Sequence, residues 1–179
     1  MSNTNKNTMY IVVAALVIII VIVGVGAYVF LGGGGGGGNG NGGGETIYTM
    51  GNATSLRYTV NMTTADITGT YMFAGKNLGT GDLLLRVDAN PIVDDATTYS
   101  YLFYAGNQTS YNNATGTWAQ GDFTTDWATY SGMFEGYIAH NEDWMTGDGD
   151  IEYTDAGNNI KVYDIEINPT LADSLFQAM

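Results

Sequence analysis

Residues 10–31, YIVVAALVIIIVIVGVGAYVFL, form an unbroken apolar run without a charge, and residues 32–44, GGGGGGGNGNGGG, follow it directly. No other feature constrains the chain as strongly. At 1.5 Å per residue, a run of about 22 residues spans roughly 33 Å as a helix, enough to cross a hydrocarbon core of about 30 Å. A cleaved signal peptide carries a shorter apolar region and small residues at its cleavage site. Here Tyr28, Val29, Phe30 and Leu31 occupy that place, so an uncleaved anchor is expected. Lys6 is the only charge before the run, and no Lys or Arg follows until Arg57. The positive-inside bias therefore predicts a cytoplasmic tail (1–9), a transmembrane anchor (10–31) and an extracellular remainder (45–179). A nearly pure glycine linker has no side chains to pack and behaves as a flexible coil. Its 13 residues reach about 20 Å r.m.s..

The chain carries −13, and Lys6 supplies the only charge ahead of residue 45, so the outer part carries −14. Its only basic residues are Arg57, Lys76, Arg86 and Lys161. Such a balance disfavours nucleic acid and anionic lipid headgroups as partners. There is no cysteine, which removes disulfides, thiolate metal sites, thiol nucleophiles and lipoprotein acylation.

Beyond the linker the period is two. Leu56, Tyr58, Val60 and Met62 alternate with Arg57, Thr59, Asn61 and Thr63, the mark of a half-buried strand. Residues 67–74, 83–88 and 99–104 read as further strands. A short strand around 109–111 and one beginning at Thr117-Trp118 follow, with turns at Gly106-Asn107 and 112–116. The period then changes. Phe123, Trp127, Tyr130, Phe134, Tyr137 and Ile138 recur every three or four residues, which predicts a helix over about 124–140. Two strands, 151–154 and 160–167, are expected around a turn at 156–159, and Pro169 opens a short terminal helix, 170–177. The expected fold class is α+β: an antiparallel β-meander, as a curved sheet or half-barrel, with one long helix packed on one face.

Two segments carry family resemblances. The order strand, turn, tyrosine strand, turn, tryptophan in YLFYAGNQTSYNNATGTW (101–118) resembles the meander of lipoprotein carriers of the LolA and LppX type. That likeness implies a half-barrel whose concave face holds acyl chains. The segment KVYDIEINPTLADSLF (161–176) is similar to one found in archaeal membrane-anchored cell-surface proteins, which implies a location and no particular activity.

The aromatic content, 13 Tyr, 3 Trp and 6 Phe, leaves three readings open. The rings can form the core. Tyr101, Phe103, Trp127, Tyr130 and Phe134 can line a cleft between sheet and helix for a lipid or other apolar ligand. Exposed Tyr and Trp can stack on sugar rings of a cell-surface glycan.

Four N-x-S/T sequons, at Asn52, Asn61, Asn107 and Asn113, are candidate glycosylation sites on an exported domain. Asp148, Asp150 and Glu152 alternate in TGDGDIEYTD and are weak metal candidates. Side chains two apart on a strand lie about 6.5–7 Å from each other, too far to share one Ca²⁺ shell of radius about 2.5 Å. A solvated acidic face is expected there, and no cofactor. His140 is the only histidine, at a helix carboxyl end that favours imidazolium. No HExxH surrounds it and no serine sits in a G-x-S-x-G elbow. The chain is thus expected to be a non-catalytic surface module.

Overall fold

The computed structural model describes residues 47–64, 67–91 and 97–179. The apolar run 10–31 and the glycine tract 32–44 lie outside them. Among the described residues no helix is long and apolar enough to cross a membrane.

Eight antiparallel strands form one sheet. They are β1 (Ser55–Thr63), β2 (Thr68–Lys76), β3 (Leu84–Asn90), β4 (Tyr99–Tyr104), β5 (Thr109–Asn112), β6 (Ala119–Gln120), β7 (Ile151–Asp155) and β8 (Asn158–Ile167). One helix, α1 (Phe123–His140), separates β6 from β7. The spatial order is β6-β5-β4-β3-β2-β1-β8-β7. The first six strands are a meander of sequential neighbours, and the last hairpin returns to pair with β1 on its other side. The α+β character and the antiparallel meander follow the periods of the sequence.

Alternation in β1 becomes a division of faces. Leu56, Tyr58, Val60 and Met62 are buried on the inner face, at most 2% exposed. Tyr58 stands opposite Phe73 of β2, and Leu56 opposite Gly75. The inner layer continues through Leu85 and Val87 of β3 and Phe103 of β4 to Ile160 and Val162 of β8. α1 closes this face with Tyr130, Met133, Phe134 and Tyr137. Its start is set by Asp122, whose carboxylate accepts the Thr125 amide, and Asp126 in the first turn and His140 in the last suit the helix dipole.

β8 needs a local irregularity to keep one face apolar. Ile160 and Val162 have even parity, whereas Ile165 and Ile167 have odd. The strand changes register against β1 between Arg57↔Glu166 and Thr59↔Tyr163, so two residues of β8 face Tyr58. Asp164, at φ +52°, takes the left-handed conformation within this bulge. A bulge restores the alternation that one extra residue would invert.

Several boundaries differ from expectation. The 156–159 turn is tighter: Asp155 pairs with Asn158, leaving a two-residue loop of Ala156 and Gly157 with both φ positive. That is the primed hairpin geometry, which matches the strand twist. The strand expected to begin at Thr117-Trp118 begins at Ala119. The terminal helix is reduced to one 3₁₀ turn, Asp173–Phe176. A segment this short cannot pay for helix nucleation from its own hydrogen bonds, and tertiary contacts set its shape instead. Leu171 and Phe176 are buried against Ala74 on the outer face of the sheet. Arg86 donates to the Leu175 carbonyl (3.0 Å), and the Tyr104 hydroxyl donates to the Phe176 carbonyl.

Candidate functional site

The five rings named for a cleft are brought together by β4 and α1, and they pack against one another. Tyr101 and Tyr130 have centroids 4.4 Å apart, and Phe103 lies 5.7 Å from Trp127 and 6.0 Å from Tyr130. Phe134 stacks on Tyr58 at 5.7 Å, its ring 1% exposed. Side chains therefore occupy the space between sheet and helix at this end. Near the carboxyl end of α1 a cavity of about 60 Å³ remains, bordered by Met62, Met133, Tyr137, His140, Tyr153 and Ile160. Ligand pockets commonly measure about 300–1,000 Å³. His140 itself is exposed and stacks on the Tyr153 ring at 3.8 Å.

The phenols of the inner layer are held neutral. Burial pushes Tyr58, Tyr130 and Tyr137 well above the ordinary tyrosine value, and Tyr71 and Tyr153 up to about 12. Two carboxyls are raised. Asp126 is raised by burial and by Asp122, against a hydrogen bond from Asn112 that lowers it. Glu135 is raised by burial alone. The Ser110 hydroxyl is the buried side-chain oxygen without a partner among the described residues, but Ser110 is 1% exposed and no substrate reaches it.

The alternating acids meet a cation from their own sheet. Lys161 of β8 bridges Asp150 (2.8 Å) and Glu152 (3.2 Å) across the hairpin, and Asp148 accepts the Met145 amide in a local turn (2.8 Å). Ile151 and Tyr153 pack inward, so Glu152 faces solvent. Among the described residues no group of three His, Asp or Glu converges to hold a metal ion. The other basic residues are likewise paired, Arg57 with Glu166, Lys76 with Asp173 and Arg86 with Asp88.

The four sequons sit in different surroundings. Asn61 lies inside the sheet on β1, its Oδ1 accepting from the Thr70 hydroxyl (2.8 Å) and the Tyr163 hydroxyl (3.3 Å). Asn52 accepts the Thr49 amide and donates to the Ile47 carbonyl. Asn113 accepts the Ser100 amide at 2.6 Å. Asn107 is exposed in the 3₁₀ turn Ala105–Asn107, and among the described residues its side chain has no hydrogen-bond partner.

A second concave region lies on the outer face, where the sequence had suggested only strands and turns. It is an open groove of about 610 Å³ bordered by Tyr111, Asn113, Thr117, Trp118, Gln120 and Met179. Tyr111 pairs directly with Gln120, so the pleat puts these two on one side, and Asn113 and Trp118 flank the groove from just beyond the ends of β5 and β6. What the sequence lacked was the register of so short a pairing.

No protein-family model matches the chain, and neither a curated protein nor a solved structure does.

Proposed function

We propose that the chain is a single-pass membrane-anchored module with its amino terminus cytoplasmic, its folded domain extracellular, and a non-catalytic role in interaction at the cell surface. The observation that carries this reading is the succession of an apolar run, a glycine tract and a packed fold. Met50, 0% exposed, is already core six residues after the tract ends. A flexible coil between membrane and domain lets the domain reorient while it stays tethered.

The paired cations support a partner other than nucleic acid or anionic headgroups, since an anion would have to displace an existing carboxylate. Carriage of an acyl chain in a half-barrel, as the resemblance to lipoprotein carriers implies, would require the ring layer of Tyr101, Phe103, Trp127, Tyr130 and Phe134 to part. The outer surface is the stronger candidate for contact with partners. The exposed Asn107 turn is the best acceptor for a glycan.

Protease added to intact cells should remove the domain and leave a short anchored fragment on denaturing gels. A domain protected until the cells are lysed would overturn the reading.

A further inference from the structure

We propose that the outer-face groove of Tyr111 and Trp118 binds a neutral saccharide; the proposal rests on the interaction-module reading and names its ligand class. The groove's volume, about 610 Å³, lies within the range of ligand sites, whereas the inner cavity's does not. Its chemistry is mixed in a particular way. Two aromatic rings, each half-buried, offer apolar faces. Among the described residues the Trp118 indole N–H and the Tyr111 hydroxyl at their edges have no hydrogen-bond partner, and neither do the Gln120 amide or the Asn113 Nδ2. A pyranose ring presents a C–H face to stack on an aromatic plane and hydroxyls around its rim to meet such donors and acceptors. An acyl chain would cover these polar groups without pairing them, a loss each time.

Charge narrows the class further. The chain carries −13, yet among the described residues no charged side chain borders the groove. An anionic sugar would find no cation there, because all four basic residues of the domain are paired elsewhere. The Tyr111–Asn113 side of the groove is also held in shape before any ligand arrives. The Tyr111 ring stands edge-on to Tyr104 at 6.0 Å, and the Tyr104 hydroxyl in turn donates to the Phe176 carbonyl. Asn113 exchanges two hydrogen bonds with Ser100 of β4: its amide donates to the Ser100 carbonyl (3.1 Å), and its Oδ1 accepts the Ser100 amide (2.6 Å). Preorganisation of this kind lowers the ordering cost of binding.

The test uses the full-length chain in a detergent without a sugar headgroup, with tryptophan fluorescence and calorimetry as readouts. The probes are hexasaccharides of α-linked glucose, β-linked glucose and N-acetylglucosamine, with polygalacturonate as the anionic comparison. At least one neutral hexasaccharide should bind saturably. Trp118→Ala should weaken that binding by at least about tenfold, with Trp118→Phe losing less because a stacking plane remains. Gln120→Ala, on an exposed edge strand, should weaken it several-fold at unchanged melting temperature and guards against misfolding of the tryptophan variant. The proposal is overturned if none of the three neutral probes binds, if Trp118→Ala and Gln120→Ala both bind like the parent, or if polygalacturonate binds most tightly. Protease shaving of cells reports on the module reading independently, so the two failures are distinguishable.

Discussion

Gly75→Ala adds one methyl group at the point where β2 meets α1. A Cβ on residue 75 would lie 2.5 Å from Phe134 Cζ and 3.2 Å from both Phe134 Cε1 and Leu78 Cδ1, where ordinary contact begins at 3.4 Å. The Phe134 ring has little room to retreat. Tyr58 stacks on it at 5.7 Å, Phe73 lies at 6.0 Å, and the Tyr58 hydroxyl donates to the Phe134 carbonyl at 2.9 Å. Overpacking of this kind costs about 1–3 kcal/mol. A 2.5 Å approach to a ring held on both sides belongs in the upper part of that range, about 2–3 kcal/mol, and alanine recovers about 0.5–1 kcal/mol over glycine within a strand, so the clash wins by about 1–2 kcal/mol. Thermal unfolding of the full-length chain, followed by near-ultraviolet circular dichroism, should show a midpoint lowered by roughly 3–10 °C. Phe134→Leu removes the ring atoms that the new methyl strikes. The double variant should therefore be less destabilised than the sum of the single ones, by at least about 1 kcal/mol. A Gly75→Ala variant as stable as the parent, or strict additivity with Phe134→Leu, would refute the packing argument.

Glu135 is half-buried, among the described residues it has no ion-pair partner, and burial raises its carboxyl above the usual value. In the window between the two values the native state binds more protons than the unfolded state, so stability falls as pH rises through it. Glu135→Gln should accordingly raise the urea midpoint at pH 7, with the gain disappearing in acid below the ordinary glutamate value; a gain of equal size at every pH would argue against burial as its cause. Ala156 occupies the first loop position of the β7–β8 hairpin at φ +48°, a conformation that asparagine tolerates better. Ala156→Asn should stabilise by about 0.5–1 kcal/mol in urea denaturation, and a lowered midpoint would show that the turn has another constraint. If the exported chain is glycosylated in its folded form, Asn107→Gln should abolish most of the gel shift and Asn61→Gln none of it; the reverse pattern would mean that modification precedes folding.

Alternation in residues 56–62 announced β1, and the spacing of Phe123, Trp127, Tyr130, Phe134 and Tyr137 announced α1 to within a residue at its start. Both signals are local, because the pleat and the helical turn impose their periods on adjacent residues. The short ends were less legible. In β6, two residues carry no period, and the terminal turn at Asp173–Phe176 takes its shape from Arg86 and Tyr104. The outer groove was hidden for the same reason, since Tyr111 and Gln120 come together only once β5 is set against β6.

The sequence by itself determined the periods, the apolar run with its glycine tract, the charge balance and the absence of cysteine chemistry. All of these depend on residues near one another or on simple counts. Only the tertiary structure decided that β8 joins β1, about a hundred residues away, and that a bulge at Asp164 keeps Ile160, Val162, Ile165 and Ile167 on one face. It also brought the rings of Tyr101, Phe103, Trp127 and Tyr130 against one another beneath the first half of α1. Whether facing rings enclose a cleft or a packed core depends on volumes summed over elements distant in the chain. Here Gly75, lacking a side chain, lets the Phe134 ring close down onto the sheet.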